Sequence, residues 1–353
     1  MGKINVMLAP LMLLLGCSVL PLGVAAEGIG TMEIEEKILH TGLNGKGGEF
    51  AISPDGKHLL FTTGSLSHGL RILDPQSGRT GVIPMEAGRM WGMPSWAPDG
   101  TQVVAISTAV RDNHVMVGDM QVILIDPKTW KHRSISSGEG VKIFPFFSAD
   151  KSLVYFFKGV KRTSGYTPAS RFDLYVISVT TGKEIQLTHE QFYQVSRGDD
   201  DGKSVLFEGI PRAKRVTDAF STKTQNTVFR YSKTDQRLIP VDFHQSTGLP
   251  NVHNPVRDKV DVIMQPNALF SISSPIRDKA GNLFFVAAKL PPGSGRYQWF
   301  VFRANDANKP PIPLTELPIG LDFDLARQTG EIYVMDKRAD EIVFRRLRAL
   351  ANH

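Results

Sequence analysis

Residues 49–63 read EFAISPDGKHLLFTT: an apolar stretch, the corner Ser53-Pro54-Asp55-Gly56, and a second apolar stretch. Proline presets φ at the first corner of a tight turn and glycine accepts the left-handed position, so the segment predicts a β-hairpin. Five more segments repeat the pattern: GMPSWAPDGTQVVAIS (92–107), IFPFFSADKSLVYFF (143–157), QVSRGDDDGKSVLFE (194–208), SSPIRDKAGNLFFVAA (273–288) and FDLARQTGEIYVMD (323–336). Aligned on the turn, their anchors are Gly56, Gly100, Lys151, Gly202, Gly281 and Gly330. Six residues before the anchor a proline recurs, as Pro94, Pro145 and Pro275.

Each hairpin leads to a third apolar strand ending at Asp74, Asp126, Ser178, Ser232, Ala304 or Arg346. From that end to the next anchor the chain takes 24 to 26 residues four times (74 to 100, 126 to 151, 178 to 202, 304 to 330) and 49 once (232 to 281). Such constancy leaves room for a short fourth strand and fits propeller blades. Counting back from Gly56 places Met32–His40 (MEIEEKILH) as the fourth strand that the last repeat lacks. The expected fold is all-β: a six-bladed β-propeller of four-stranded antiparallel blades, closed by the N-terminal strand joining the last blade. Closure removes an open sheet edge. Trp96, Phe144 and Phe147 are expected to pack blade against blade.

The SPDG and APDG corners, with a preceding Pro-x-aromatic (Pro94-x-Trp96, Pro145-x-Phe147), resemble the WD-like repeats of the TolB-type propeller family. The resemblance covers roughly residues 32–347. It implies a periplasmic, non-enzymatic protein that contacts partners of the Tol-Pal envelope system. TolB proper carries an additional α/β domain before its propeller, whereas here the repeats begin soon after the N-terminal leader. Similar repeats occur in propellers of prolyl-oligopeptidase-type enzymes, whose catalytic hydrolase domain has no counterpart in these 353 residues.

The first 26 residues, MGKINVMLAPLMLLLGCSVLPLGVAA, carry Lys3, an apolar run broken by Pro10, Gly16 and Pro21, and the small residues Val24-Ala25-Ala26. That is the pattern of a secretory signal peptide, with cleavage expected after Ala26 and export to the periplasm. Leu14-Leu15-Gly16-Cys17 also resembles a lipoprotein box, which would anchor the protein to a membrane through Cys17. Residues 27–353 are then read as one propeller domain, expected as a monomer. With 41% apolar residues the chain has ample material for a core, and its single cysteine excludes a disulfide framework and a Cys-ligated zinc site.

Alternating strand direction puts the second-to-third-strand loops and the blade-to-blade links on one face. Excess length collects there, in blades two to four and in the insertion at 242–268. So does the charge: residues 158–171 carry +4, 210–223 carry +3 and 289–296 carry +2, against +6 for the whole chain. Lys158, Lys161, Arg162, Tyr166, Arg171, Arg212, Lys214, Arg215, Lys223 and Arg296 are therefore candidate binding residues. A focused basic patch raises the encounter rate of anionic partners. In an exported protein these are an envelope protein, an anionic polysaccharide or a lipid head group, not nucleic acid.

Motifs of catalysis are sparse. There is no G-x-S-x-G elbow, H-E-x-x-H pair or phosphate loop. Asp199-Asp200-Asp201-Gly202 lacks the downstream glutamate of a calcium loop and reads as a plain turn. Two metal-binding alternatives stand beside the plainer reading of solvated loop histidines and of aspartates that partner basic neighbours or are solvated: His114, His244 and His253 in the long loops, and Asp322 with Asp324 on the innermost strand of blade six. Two functions follow. One is a non-catalytic, exported propeller that docks an anionic partner without a cofactor; the other is a divalent-metal-dependent hydrolase or lyase acting on carbohydrate or lactone substrates.

Overall fold

The structure, a computed structural model, describes residues 34–64, 69–112, 114–159, 171–210, 227–240, 269–289, 298–304, 311–317 and 323–349. The first strand, β1 (Ile34–Asn44), finds its partner only at the other end of the chain. Blade one follows as β2 (Phe50–Ile52), β3 (Leu59–Thr62), β4 (Leu70–Leu73) and β5 (Thr80–Val82). Blade two is β6 (Arg89–Trp96), β7 (Val103–Arg111), β8 (His114–Ile125) and β9 (His132–Ser134). Blade three is β10 (Lys142–Phe147), β11 (Leu153–Gly159), β12 (Phe172–Ser178) and β13 (Glu184–Gln186).

In blade four the innermost strand is split into β14 (Gln194–Val195) and β15 (Asp199–Asp200), followed by β16 (Ser204–Ile210), β17 (Thr227–Ser232) and β18 (Arg237–Pro240). Blade five is β19 (Leu269–Arg277), β20 (Leu283–Lys289), β21 (Gln298–Ala304) and β22 (Ile312–Leu317). Blade six is β23 (Phe323–Ala326), β24 (Glu331–Arg338) and β25 (Glu341–Ala349), with β1 as its outer strand. All pairings within blades are antiparallel, and among the described residues there is no helix. The expected ring of six four-stranded blades, closed by the N-terminal strand, is the observed architecture. Met32 and Glu33 lie outside the described residues; from Ile34, β1 runs past His40 to Asn44 through a register shift.

The core is divided by seam. Six apolar clusters each join two adjacent blades: Trp91 and Trp96 meet Ala51 and Leu60 between blades two and one, and Phe157 meets Phe207 between three and four. Phe285 and Phe302 meet Leu206 and Val228 between five and four. Burial of each such ring contributes about 1.5–3 kcal/mol. Trp96 is buried as expected, and its indole N–H donates to Ala51 O of the neighbouring blade at 3.2 Å.

The turn alignment fixes backbone shape closely enough to place a non-glycine residue. Lys151, which stands where glycine stands in the other repeats, adopts the same left-handed φ of 63°, against 75° at Gly56. Extra length in blade two takes a different form from the loop expected. β7 and β8 extend as a long ladder to the pair Arg111 and His114, so His114 lies on a strand.

Candidate functional site

Innermost strands line the axis of a propeller, and their first halves carry a shared irregularity. In blades two, three and five the ladder slips by one residue, between Gly92 and Ser95, Ile143 and Phe146, and Ser273 and Ile276. Proline has no N–H for the ladder and is confined to edges and bulges, so Pro94, Pro145 and Pro275 each sit within a slip. The residue before each proline is left-handed: Met93 at φ 52°, Phe144 at 51° and Ser274 at 50°. Such backbone costs of order 1–3 kcal/mol per residue and clusters where a side chain must be aimed.

Two of those side chains, Met93 and Phe144, face the axis. Seven residues before the turn anchors stand Glu49, Met93, Phe144, Val195, Ser274 and Phe323. Five of the six, all but Ser274, line one cavity of about 400 Å³. Phe144 N–H lies 3.4 Å from Met93 Sδ, which links two bulges across a seam. Phe144 packs against the cluster between blades three and four, as expected, and its half-buried side chain also forms channel wall. The signal was present in the alignment, one residue before the recurring proline. The remaining lining includes Phe50, Pro94, Lys46 and Arg197. Because Lys46–Glu49 lead from β1 into β2, the cavity lies toward the face of the blade-to-blade links.

Below it the channel is crossed by charge. Arg197 Nη2 of blade four donates to Asp324 Oδ1 of blade six at 2.6 Å, and Asp324 Oδ2 accepts Ile52 N–H of blade one at 2.9 Å. Arg327 Nη2 of blade six lies 2.6 Å from Asp199 Oδ1 of blade four, a charge contact whose N–H misses hydrogen-bond alignment. Asp199 Oδ2 accepts Arg277 N–H of blade five at 3.1 Å. Asp200 accepts Ala149 N–H of blade three at 3.0 Å and pairs with Lys233 at 2.6 Å. Only about 40 Å³ remains open among these groups.

Asp199 and Asp200 thus do more than make a turn: both are buried and each holds a neighbouring blade. Asp201 makes the turn, accepting the N–H groups of Lys203 and Ser204 at 2.9 and 2.7 Å, and its other oxygen lies 3.3 Å from Arg277 Nη1 of blade five.

Of the sequence-derived candidates, four are described. Lys158 is the penultimate residue of β11 and pairs with Glu184 at 2.5 Å, with its ammonium 5.3 Å from the Tyr175 ring centre. Arg171 donates to Gln191 Oε1 at 3.3 Å and lies over Tyr193. Both flank the basic loop of blade three. His114 is exposed and donates from Nδ1 to Asp112 O at 2.6 Å. Asp324 uses its two oxygens as described above. Lys161, Arg162, Tyr166, Arg212, Lys214, Arg215, Lys223, Arg296, His244, His253 and Asp322 lie outside the described residues, as do the leader and Cys17. Among the described residues no three His, Cys, Asp or Glu side chains cluster to hold a metal ion.

One buried cation was missed by sequence. Lys142 opens β10 directly opposite Lys158 in the ladder. It is fully buried, and its ammonium donates to Met120 O at 2.7 Å and Gly138 O at 3.0 Å. Burial, and then the Lys158 charge, push its pKa down to about 8. Nearby, burial pushes the Asp173 carboxyl up, against hydrogen bonds from Gln191 N–H and Thr188.

Solved structures resemble this arrangement. The putative TolB from Agrobacterium tumefaciens aligns with a TM-score of 0.52 at 14% identity, over 92% of this chain and 100% of that one. TolB from Acinetobacter baumannii gives 0.50 at 13% identity over 85% of this chain, which spans 64% of that protein's length. Oligogalacturonate lyase from Vibrio parahaemolyticus gives 0.50 at 12% identity, over 84% of this chain and 76% of that one. No family model and no curated protein matches the sequence. The likeness is one of fold, and in fold the chain is a TolB-like six-bladed β-propeller.

Proposed function

We propose that the protein is an exported, periplasmic, non-catalytic propeller that docks an anionic partner of the cell envelope on the face of its blade-to-blade links. The observation that carries this reading is the asymmetry of the channel. Ion pairs among blades four, five and six fill it toward the hairpin-turn face, while a cavity of about 400 Å³ lies toward the opposite face. Sequence puts the longest and most basic loops on that same face, and Lys158 and Arg171 flank the root of one of them. Loops on a rigid scaffold are where binding is usually built. Export follows from the leader, and the partner's negative charge from the loops.

Immobilised heparin and phosphatidylglycerol vesicles serve as anionic probes. Binding of the mature protein to at least one is expected to weaken steeply with NaCl, because exposed charges are screened over about 10 Å at 0.1 M salt. Changing Lys161, Arg162, Lys214 and Arg215 together to Glu is expected to abolish it. Salt-independent binding, or binding that survives the reversal, overturns the proposal.

A further inference from the structure

The cavity at the axis combines two chemistries that the basic loops do not need. Its wall is apolar and comes from separate blades: Phe50, Met93, Phe144, Val195 and Phe323. Its inner end carries Arg197, which also borders the ionic layer beneath. Sites for small molecules are commonly 300–1,000 Å³ with apolar walls and a few placed polar groups, and about 400 Å³ falls in that range. Two wall residues, Met93 and Phe144, sit on the left-handed residue of a proline bulge and divide their surface between the neighbouring seam cluster and the cavity.

We propose that this cavity is a binding site for a small monocarboxylate with an apolar body, whose acid group shares the Arg197 guanidinium with Asp324. Guanidinium is a planar fork of five donors that suits carboxylates, so one arginine can serve an acid above it and Asp324 below. Lys46, another lining residue, adds a second cation, and among the described lining residues the one carboxylate is Glu49. The apolar body replaces water along the Met and Phe wall. Because the ion pairs close the channel below, the ligand enters acid first and its tail points to the loop face. This site stands independently of docking by the basic loops.

Decanoate, decanol and decyltrimethylammonium, each titrated calorimetrically into the mature protein below their micelle ranges, test it. Decanoate is expected to fill one saturable site, with the other two weaker by about ten-fold or more. Met93→Phe adds a ring to the wall and narrows the cavity; Phe144 already holds a ring in the same backbone conformation, so the melting temperature is expected to stay unchanged while decanoate binds more weakly. Arg197→Gln is expected to erase the preference for the acid over the alcohol. Should that variant fail to fold because Asp324 loses its cation, the head-group comparison and Met93→Phe decide. No saturable site, equal affinity for decanol, or undiminished binding to Met93→Phe overturns the proposal, the last by placing the acid on the basic loops.

Discussion

Lys151 holds a corner that glycine holds in the other five hairpins, at φ 63°. An L-residue there carries about 1–2 kcal/mol of left-handed strain. Its ammonium pairs with Asp99 of the neighbouring blade, but both side chains are more than a third exposed, and such pairs contribute about 0–1 kcal/mol. Lys151→Gly is therefore expected to raise stability by about 0.5–1 kcal/mol, read as a higher urea midpoint at unchanged slope. A fall would make the Asp99 pair the stronger influence. Lys142 gives the opposite case, a charge held at a cost. Its pKa drops from 10.5 to about 8 on folding, so between those values the unfolded chain holds a proton that the native protein has released. Stability from this group therefore rises with pH across that window. Urea midpoints at pH 7.5 and 9.5 are expected to rise more in the wild type than in Lys142→Met, and parallel changes would refute the assignment.

At the scale of the element, the innermost strand is where sequence and structure diverge most usefully. Asp324 and Asp199 stand near the turn of their strands and reach across seams to Ile52 N–H and Arg277 N–H. Asp324→Ala removes the carboxylate from Arg197 and the acceptor from Ile52, and is expected to cost about 3–5 kcal/mol. Asp324→Asn keeps an acceptor for Ile52 and is expected to lose less; chemical denaturation of both variants checks the order. Strand number, turn positions and blade count were legible because Pro, Gly and alternating apolar residues act over a few positions, as in Ser53-Pro54-Asp55-Gly56. Partner choice was not. Asp324, expected either to hold a metal with Asp322 or to partner a basic neighbour, pairs with Arg197, and Asp199, read as part of a turn, lies against Arg327; nothing local tells either side chain that its cation lies two blades away. The channel-wall side of Phe144 was hidden for the same reason: the residue sits in a one-residue bulge, and bulges leave only the following proline as a trace.

On the scale of the whole molecule, closure rests on one strand. β1 pairs with β25 from Ile34 opposite Ala349 to Asn44 opposite Glu341. Glu341 then accepts both Gly42 N–H at 2.8 Å and a hydrogen bond from His40 Nδ1 at 3.0 Å, and Thr41 Oγ1 donates to Ile342 O at 2.6 Å. Removing residues up to Leu43 leaves β25 as an open edge and bares the Leu39 side of the seam between blades six and one. The shortened protein is expected to unfold with a lower, broader transition and to self-associate in sedimentation. Monomeric, wild-type-like unfolding would mean that the seams alone hold the ring.

The same pairing has a consequence in time. Thr41 and Ile342, bonded in the finished ring, lie 301 positions apart. Whatever order the blades fold in, the strand made first must wait for the one made last, so no growing chain completes the ring before its C-terminal end is available. Loop closure over such separations is slow, and the waiting chain exposes unpaired backbone. A protein built this way depends on whatever keeps its leading strand from pairing elsewhere until its partner arrives.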